Sequence, residues 1–276
     1  MINLSALYSN YIDSLKEEKE RDPYRLFISD VGKCPRQVGY RLVGTEKNIV
    51  NEQTLINKNI MFELALHMEE MMCSALEKEG LLIAFQDDVD VYDRSNWGGR
   101  LDFIADVEGT RVVEFKTVAS GAFRHGLDYP HYRKQAMTYD LYCRDVYELE
   151  AVPLLPFFDR GGTNTWQWEE VEPDDYLIAS LMDELEDVRV EAMEGDVMYP
   201  RLPKKLFKRS YEKQLVYEPP WDCGWCDYSD ECEPDMGKSV WAERKDNREP
   251  WTVKKAADAT ILEKWATKEL ENIHEG

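Results

Sequence analysis

The chain has 276 residues, 43% of them hydrophobic, which is enough to bury a sizeable core as one large domain or as a domain with an appendage. Its 34 basic and 55 acidic residues give a formal charge of −21, so nucleic acid would bind only where basic residues are locally gathered. No apolar run approaches the length of a membrane span and residues 1–10 lack the pattern of a signal peptide, so we expect a cytoplasmic protein.

Hydrophobic periodicity predicts an alternation of helices and strands along the chain. Helix, three strands, helix and strand in succession predict an α/β fold in which helices flank a mixed sheet. In chain order, we expect helices over 4–19 and 53–78, strands over 81–92, 98–106 and 112–117, a helix over 123–142, strands over 149–158 and 163–170, and helices over 173–194 and 252–274.

The helix over 53–78 carries a histidine among apolar residues. Ile60, Leu64, His67 and Met71 fall on one stripe at helical spacing, and Glu70 lies one turn from the histidine. A single histidine on such a stripe is more often packed, or paired with a nearby glutamate, than bound to a metal. Its meaning therefore depends on the strands that follow.

The strands over 98–106 and 112–117 carry the most informative polar residues. Glu114 and Lys116 share one face of their strand, and Asp102 points away from the face that carries Leu101 and Phe103. The turn over 108–111 joins two apolar runs, which predicts a hairpin that brings Asp102 close to Glu114 and Lys116.

Two carboxylates beside an ammonium suit a site for Mg²⁺ or Mn²⁺, because hard cations use one or two carboxylates together with water and substrate phosphate. Lys116 would then orient the water or stabilise developing negative charge. The pattern D-x11-E-x-K is weak by itself. In an ordinary sheet, such residues more often form a solvated cross-strand charge pair.

Four of the six cysteines suggest a second metal centre. Cys223, Cys226 and Cys232 form a C-x2-C-x5-C cluster, and Cys34, which precedes a proline far upstream, supplies a fourth thiol. Both zinc and a [4Fe-4S] cluster accept four thiolates. Zinc sites commonly use paired C-x2-C motifs, so one distant cysteine and an uneven triplet favour iron–sulfur. A disulfide framework is not expected in a reducing cytoplasm.

Taken together, these residues resemble the RecB-type nucleases of the PD-(D/E)xK superfamily, and above all the CRISPR-associated exonuclease family that carries a four-cysteine iron–sulfur cluster and has relatives in bacteriophages. The likeness covers most of the chain, from about residue 29 to residue 232. Five motifs occur in the family's order. They are His67 on a helix, Asp102 in Gly99-Arg100-Leu101-Asp102, Glu114-Phe115-Lys116, Gln135-x3-Tyr139, and Cys34 with the cysteine triplet.

The resemblance implies a metal-dependent DNA nuclease, often an exonuclease that prefers single-stranded ends. His67, Asp102, Glu114 and the carbonyl of Phe115 would match the family's metal ligands, and Lys116 would match its catalytic lysine. Gln135 and Tyr139, which share a helix face, would match the motif that positions the substrate. Cys34, Cys223, Cys226 and Cys232 would hold the [4Fe-4S] cluster as a structural staple.

The resemblance also implies a restriction-endonuclease-like fold and a division of the chain. We expect an N-terminal helical segment over 1–52, a nuclease core over 53–195, and an iron–sulfur region with a terminal helix over 196–276. The bacterial cytoplasm, or that of a phage-infected host, is the expected location.

Two alternatives stay open at this point. The strongly acidic composition suits either DNA confined to a narrow basic groove or an acidic surface that docks a partner protein. The chain could accordingly be a non-cleaving DNA-end or partner-binding component of a recombination or CRISPR-adaptation complex. A zinc-stapled interaction protein is the third possibility.

Overall fold

The computed structural model describes residues 22–48, 52–86, 88–89, 96–125, 127, 129–162, 166–195, 205–209, 214–218, 223, 226–236, 240–243 and 252–253. These residues fall into two compact units, one within Met1–Gly44 and Ile49–Met198 and the other within Thr45–Asn48 and Tyr199–Gly276. The predicted helix over 4–19 lies outside the described residues. In the part that is described, no helix has both the length and the apolar character needed to cross a membrane.

A mixed six-stranded sheet flanked by helices forms the centre of the first unit, as the sequence predicts. The strands are β2 (Leu82–Phe85), β5 (Phe103–Asp106), β6 (Thr110–Val113), β7 (Lys116–Val118), β8 (Val152–Asp159) and β9 (Gln167–Glu170). Their order is β2-β5-β6-β8-β7, and β9 also pairs with β8. Strands β6 and β7 both run parallel to β8, whereas the β2–β5, β5–β6 and β8–β9 pairs are antiparallel.

Both strands of the predicted hairpin are interrupted in the middle, which the sequence pattern did not predict. Strands β6 and β7 pair with β8 in one continuous register, since Val113 pairs with Leu154 and Lys116 with Phe157. Glu114 and Phe115, which lie between the two strands in sequence, belong to neither. The other predicted strand is interrupted at Leu101 and Asp102. Phe103 pairs with Val113, so the two interruptions face each other across the hairpin.

A smaller, three-stranded sheet pairs one strand of the N-terminal segment with two strands that lie between β2 and β5 in sequence. Its order is β1-β4-β3, with β1 (Leu26–Phe27) parallel to β4 (Trp97–Arg100) and β3 (Asp88–Val89) antiparallel to β4. The 3-10 helix Ile28–Asp30 follows β1 directly. The predicted strand over 81–92 accordingly supplies β2 to one sheet and β3 to another.

Among the described residues, five α-helices belong to the first unit. The predicted helix over 123–142 is divided between two of them. Residues 123–125 end the helix Ser120–His125, and the next helix begins at Pro130, because proline suits the first turn of a helix and the residue before it avoids helical geometry. The helices are α1 (Pro35–Leu42), α2 (Glu52–Lys78), α3 (Ser120–His125), α4 (Pro130–Tyr147) and α5 (Asp175–Met193).

The core between α2 and the sheet shows which face of α2 is packed. Residues of β5 and β6 and the following Phe115 pack against Cys73, Met68, Met72 and Leu76 of the helix. Full burial of a Phe, Val or Leu side chain contributes roughly 1.5–3 kcal/mol, and the partly buried Met68, Met72 and Leu76 contribute less. The stripe predicted from the sequence is different and is exposed, since Ile60, Leu64 and Met71 all lie at the surface.

The second unit contains a four-stranded antiparallel sheet and one helix among the described residues. Its strands are β10 (Lys205–Arg209), β11 (Gln214–Glu218), β12 (Val240–Glu243) and β13 (Thr252–Val253), and its helix is α6 (Ser229–Met236). Thr252 and Val253 pair with Glu243 and Ala242, so the predicted helix over 252–274 is wrong at its start. Both residues are β-branched, which favours a strand. The rest of that prediction lies outside the described residues.

Candidate active site

Asp102, Glu114 and Lys116 meet at the two interruptions of the central sheet. The N–H of Phe115 donates a hydrogen bond of 2.7 Å to Oδ2 of Asp102. Nζ of Lys116 donates to Oε1 of Glu114 and forms an ion pair with it. Glu114 is 1% exposed, and its other oxygen, Oε2, is buried with no hydrogen-bond partner among the described residues. The hairpin thus brings together the three charged side chains that the sequence analysis selected.

Burial and mutual charge shift the pKa values of all three groups. Burial raises the pKa of Asp102 to about 7, and the nearby charge of Glu114 adds to this effect. Burial also raises the pKa of Glu114, although Lys116 opposes the shift. Burial would lower the pKa of Lys116, but the charges of Glu114 and Asp102 outweigh it, so the pKa of Lys116 is raised and the side chain stays an ammonium.

Helix α2 contributes a third carboxyl group to the site, and that group is Glu69. Glu69 is 7% exposed, and its Oε1 accepts a hydrogen bond of 3.0 Å from Nε2 of Gln86. The N–H of Gln86 in turn donates 3.0 Å to the carbonyl oxygen of Asp102. Burial, followed by the charge of Asp102, raises the pKa of Glu69. Gln86 therefore ties the helix carboxyl to the strand that carries Asp102.

His67, which the resemblance implies as a metal ligand, lies elsewhere on the same helix. Its side chain is 69% exposed, and its Nδ1 is 3.7 Å from Oε2 of Glu70. Successive residues of a helix point about 100° apart, so His67 and Glu69 lie on different sides. The structure does not bring His67 together with Asp102 and Glu114, and it places Glu69 there.

Neither Glu69 nor Gln86 is among the site residues predicted from the sequence. Glu69 lies three and four residues before Met72 and Cys73, so it belongs to the packed stripe of α2 and is a carboxylate among apolar residues. Gln86 has a φ of 52°, a left-handed conformation that is uncommon for a residue other than glycine. The position of Glu69 among apolar residues can be recognised in the sequence, whereas the backbone conformation of Gln86 cannot.

Gln135 and Tyr139 lie on one face of α4, as predicted, and support the strand before Asp102. A hydrogen bond joins the two side chains. The hydroxyl of Tyr139 donates 2.8 Å to the carbonyl oxygen of Arg100, the last residue of β4. Tyr139 is 2% exposed, and burial raises its pKa, so the hydroxyl keeps its proton. In this structure, the pair fixes the backbone that leads into Asp102.

Substitution of Gly99 by alanine should destabilise the protein by about 1–3 kcal/mol, because there is no room for a side chain at this position. A Cβ at Gly99 would lie 3.1 Å from Cδ1 of Ile28 and 3.1 Å from the hydroxyl oxygen of Tyr139. Ile28 is fully buried and Tyr139 is hydrogen-bonded, so neither side chain yields easily. Urea unfolding measures the loss.

Gly121→Ala is the matched control for this experiment. Gly121 lies in α3, and nothing lies within 4 Å of a Cβ built there. Alanine is the better helix former, so the control should be neutral or slightly stabilising. Equal unfolding midpoints for the two variants would contradict the close packing at Gly99.

The residues at the site fit a divalent cation that relies on few protein ligands. The part of the chain that the structure describes holds no group of three or more His, Cys, Asp or Glu side chains arranged to bind a metal ion. Mg²⁺ seldom needs such a group, because it keeps several waters and binds one or two carboxylates plus substrate phosphate. Oxygen donors in Asp102 and Glu114, and the buried Oε2 without a hydrogen-bond partner, match that requirement.

The structure places the predicted cysteine ligands in different units, and the six cysteines, all of them described, form no disulfide. Cys34 is the N-cap of α1 in the first unit. In the second unit, the N–H of Cys226 donates 3.4 Å to the carbonyl oxygen of Cys223, and the N–H of Tyr228 lies 3.5 Å from the sulfur of Cys226. Backbone donation to sulfur is common around metal-bound thiolates. The four-cysteine group remains a prediction.

No protein-family model matches the chain, and no curated protein matches it. Among solved structures, it is similar to one described as the crystal structure of SSO0001, with 18% identity over 86% of this chain and 98% of the other and a TM-score of 0.48. It is also similar to an alkaline exonuclease, LHK-Exo, from Laribacter hongkongensis, with 17% identity over 63% of this chain and 90% of the other and a TM-score of 0.40.

The same exonuclease in complex with dAMP is similar at 16% identity, over 63% of this chain and 90% of the other, with a TM-score of 0.41. Likenesses at this level do not establish an activity. The function is therefore inferred from the site itself.

Proposed function

We propose that the protein is a metal-dependent DNA nuclease that hydrolyses phosphodiester bonds, most simply as an exonuclease on single strands or DNA ends. One observation carries the proposal. Glu114 is fully buried beside Asp102 and Lys116, and one of its carboxylate oxygens has no hydrogen-bond partner among the described residues. An ionised oxygen in that state is costly unless a cation or a donor meets it.

Asp102 and Glu114 would hold Mg²⁺ or Mn²⁺, together with the carbonyl of Phe115. When bound, the ion would lower the pKa of a water molecule and neutralise charge on the phosphodiester oxygens. The raised pKa values of Asp102 and Glu114 support this role, because burial has brought together more carboxyl groups than Lys116 neutralises. Glu69 adds further negative potential from α2.

Lys116 would act on the reacting atoms directly. Its ammonium is held beside Glu114, and the side chain is 18% exposed, so part of the side chain is open to a substrate. There it would orient the attacking water and stabilise the negative charge that develops on the phosphoryl oxygens. Gln135 and Tyr139 would position the substrate by holding the backbone next to Asp102.

A nuclease assay tests this proposal. Purified protein is incubated with single-stranded DNA labelled at the 5′ or the 3′ end, with Mn²⁺ and with or without a chelator. Cleavage should occur with Mn²⁺, stop on chelation, and return when Mn²⁺ is restored. A Glu114→Gln preparation made in the same way reports any contaminating nuclease, and the two labels give the polarity.

DNA binding without cleavage under these conditions would contradict the proposal. It would favour the non-cleaving DNA-end or partner-binding component, for which the acidic composition offers a docking surface.

We further propose that Cys34, Cys223, Cys226 and Cys232 hold a [4Fe-4S] cluster, as in the exonuclease family that the sequence resembles. Support comes from the segment Thr45–Asn48, which belongs to the second unit. Asn48 donates from Nδ2 to the carbonyl oxygen of Cys226 at 3.3 Å and to Oγ of Ser229 at 2.6 Å. The turn after Cys226 is thus held in place by side-chain and backbone bonds.

Protein purified without oxygen should show broad visible absorption, and Cys232→Ser should lose it. Cys143→Ala is the control, because Cys143 is buried in α4 within the first unit and is not among the four proposed ligands. Colourless protein that contains stoichiometric zinc would replace the cluster with a zinc staple.

A further inference from the structure

Three aromatic side chains gather at the start of α4, outside the carboxylate group. Tyr129 is the N-cap of the helix, and His131 and Tyr132 lie in its first turn. The ring centroids of His131 and Tyr132 are 4.0 Å apart, and those of Tyr129 and Tyr132 are 5.3 Å apart. Each of the three side chains is only half-buried. We call this group the aromatic cluster.

The aromatic cluster adjoins the proposed catalytic lysine. Nζ of Lys116 lies 5.2 Å from the centroid of the Tyr132 ring, within the range of a cation–π contact. The ring of Tyr129 lies 5.8 Å from that of Phe157, and Phe157 is paired with Lys116 in the sheet. A group bound on the cluster would therefore lie next to the ammonium that faces the reacting phosphate.

Core packing accounts for only part of the aromatic cluster, through the contact of Tyr129 with the buried Phe157. The same helix carries Tyr139 and Tyr142, which are 2% and 4% exposed and supply its buried aromatic surface. Tyr129, His131 and Tyr132 are each only partly buried. Apolar ring surface left open beside a charged site is suited to a planar ligand that is itself partly apolar.

We propose that the aromatic cluster stacks an unpaired nucleobase next to the scissile phosphodiester. The proposal rests on the nuclease function above and narrows its substrate. Bases stack on aromatic side chains irrespective of sequence, but a base held in a duplex must first be unpaired and unstacked before it can turn its face to the cluster. The protein should therefore act on single strands and frayed ends in preference to blunt duplex ends, with little dependence on base identity.

Two substitutions at Tyr132 and a modified substrate test this inference. Tyr132→Leu removes the ring, whereas Tyr132→Phe keeps it. On single strands, kcat/KM of the leucine variant should fall about 10- to 100-fold below that of wild type, and kcat/KM of the phenylalanine variant should fall less. A series of single strands, each with one abasic nucleotide near the end, locates the stacked base. At that position, wild type should lose a similar factor, and Tyr132→Leu should lose little more.

Such non-additivity is expected only where the ring and the base contact each other. Independent losses that multiply in Tyr132→Leu would overturn the inference and leave Tyr132 as a support for Lys116. Tyr176→Leu is the matched control, since Tyr176 is 93% exposed at the start of α5 and is not part of the site.

A binding measurement separates this inference from the nuclease proposal. Of a series of single strands that carry 2-aminopurine at successive positions near the end, at least one should change its fluorescence on binding to wild type and much less on binding to Tyr132→Leu. If wild type stacks the base but never cleaves, the nuclease proposal fails and the stacking site stands. If wild type cleaves and both variants give the same fluorescence change, the stacking site fails alone.

Discussion

Glu69→Gln should lower Mn²⁺ affinity or the cleavage rate by about 10- to 100-fold, whereas His67→Ala should leave both nearly unchanged. Glu69 is buried and linked through Gln86 to the backbone of Asp102, so its charge should act on the proposed metal site. His67 is exposed and pairs with Glu70. Glutamine has the same size as glutamate, so the substitution removes charge with little change in packing.

Initial cleavage rates across a Mn²⁺ titration measure both effects. Glu70→Gln is the matched control, because it removes the same charge from an exposed residue of the same helix. A large loss in His67→Ala together with an unaffected Glu69→Gln would mean that the histidine is the helix ligand, as the resemblance implies. It would also mean that a different face of α2 packs on the sheet.

The face of α2 could not be chosen from periodicity alone. The helix carries apolar residues on several sides. Ile60, Phe62 and Leu64 are exposed, although from the sequence they are as suited to packing as the residues that are buried. The second half of α2 is packed on the sheet, through the stripe that includes Met68, Met72 and Cys73. A helix of this kind offers more than one apolar stripe, so tertiary packing decides which is used.

The hairpin was predictable because its signals are local. Alternating residues and a turn that contains Gly109 fixed the pairing of β5 with β6, and this pairing brought Asp102 to Glu114. The interruptions at both carboxylates were not predictable, because their hydrogen bonds are non-local. The N–H of Phe115 donates to the side chain of Asp102, 13 residues away in sequence, and not to a neighbouring strand.

The small sheet shows the same limit. Strand β1 pairs in parallel with β4 across some seventy intervening residues, through Leu26 with Trp97 and Phe27 with Gly98. A two-residue strand such as β1 is too short to show the alternation from which strands are predicted. The position of β4 is nevertheless important, because β4 leads into Asp102 and the hydroxyl of Tyr139 donates to the carbonyl oxygen of Arg100, the last residue of β4. Sequence thus indicates which charged residues form the site better than it indicates what holds them there.

Asp102→Asn should stabilise the metal-free protein at about pH 8, by up to roughly 4 kcal/mol, since each unit of pKa shift corresponds to about 1.4 kcal/mol. The pKa of Asp102 is raised from 3.8 to about 7, first by burial and then by the charge of Glu114. The native state therefore binds the proton more tightly than the unfolded chain. Wild-type stability is accordingly greatest below about pH 4 for this group and is lost as pH rises through 7.

Asparagine removes this titration and keeps an oxygen that can accept the hydrogen bond from the N–H of Phe115. The stability of Asp102→Asn should thus depend less on pH between about 4 and 7 than that of wild type. Urea unfolding with a chelator, repeated at several pH values, measures the difference. Asp106→Asn, which removes a carboxylate from the exposed end of β5, is the control for the loss of one negative charge.

Added Mn²⁺ should then reduce this difference in stability. Binding to the native state alone adds RT ln(1 + [L]/Kd), and this gain requires the carboxylate that the variant lacks. Wild type should gain stability with added Mn²⁺ and Asp102→Asn should gain much less. An asparagine variant that is less stable than wild type without metal at pH 8 would show that the Asp102 carboxylate is well satisfied, and it would remove the charge imbalance from which the metal site is inferred.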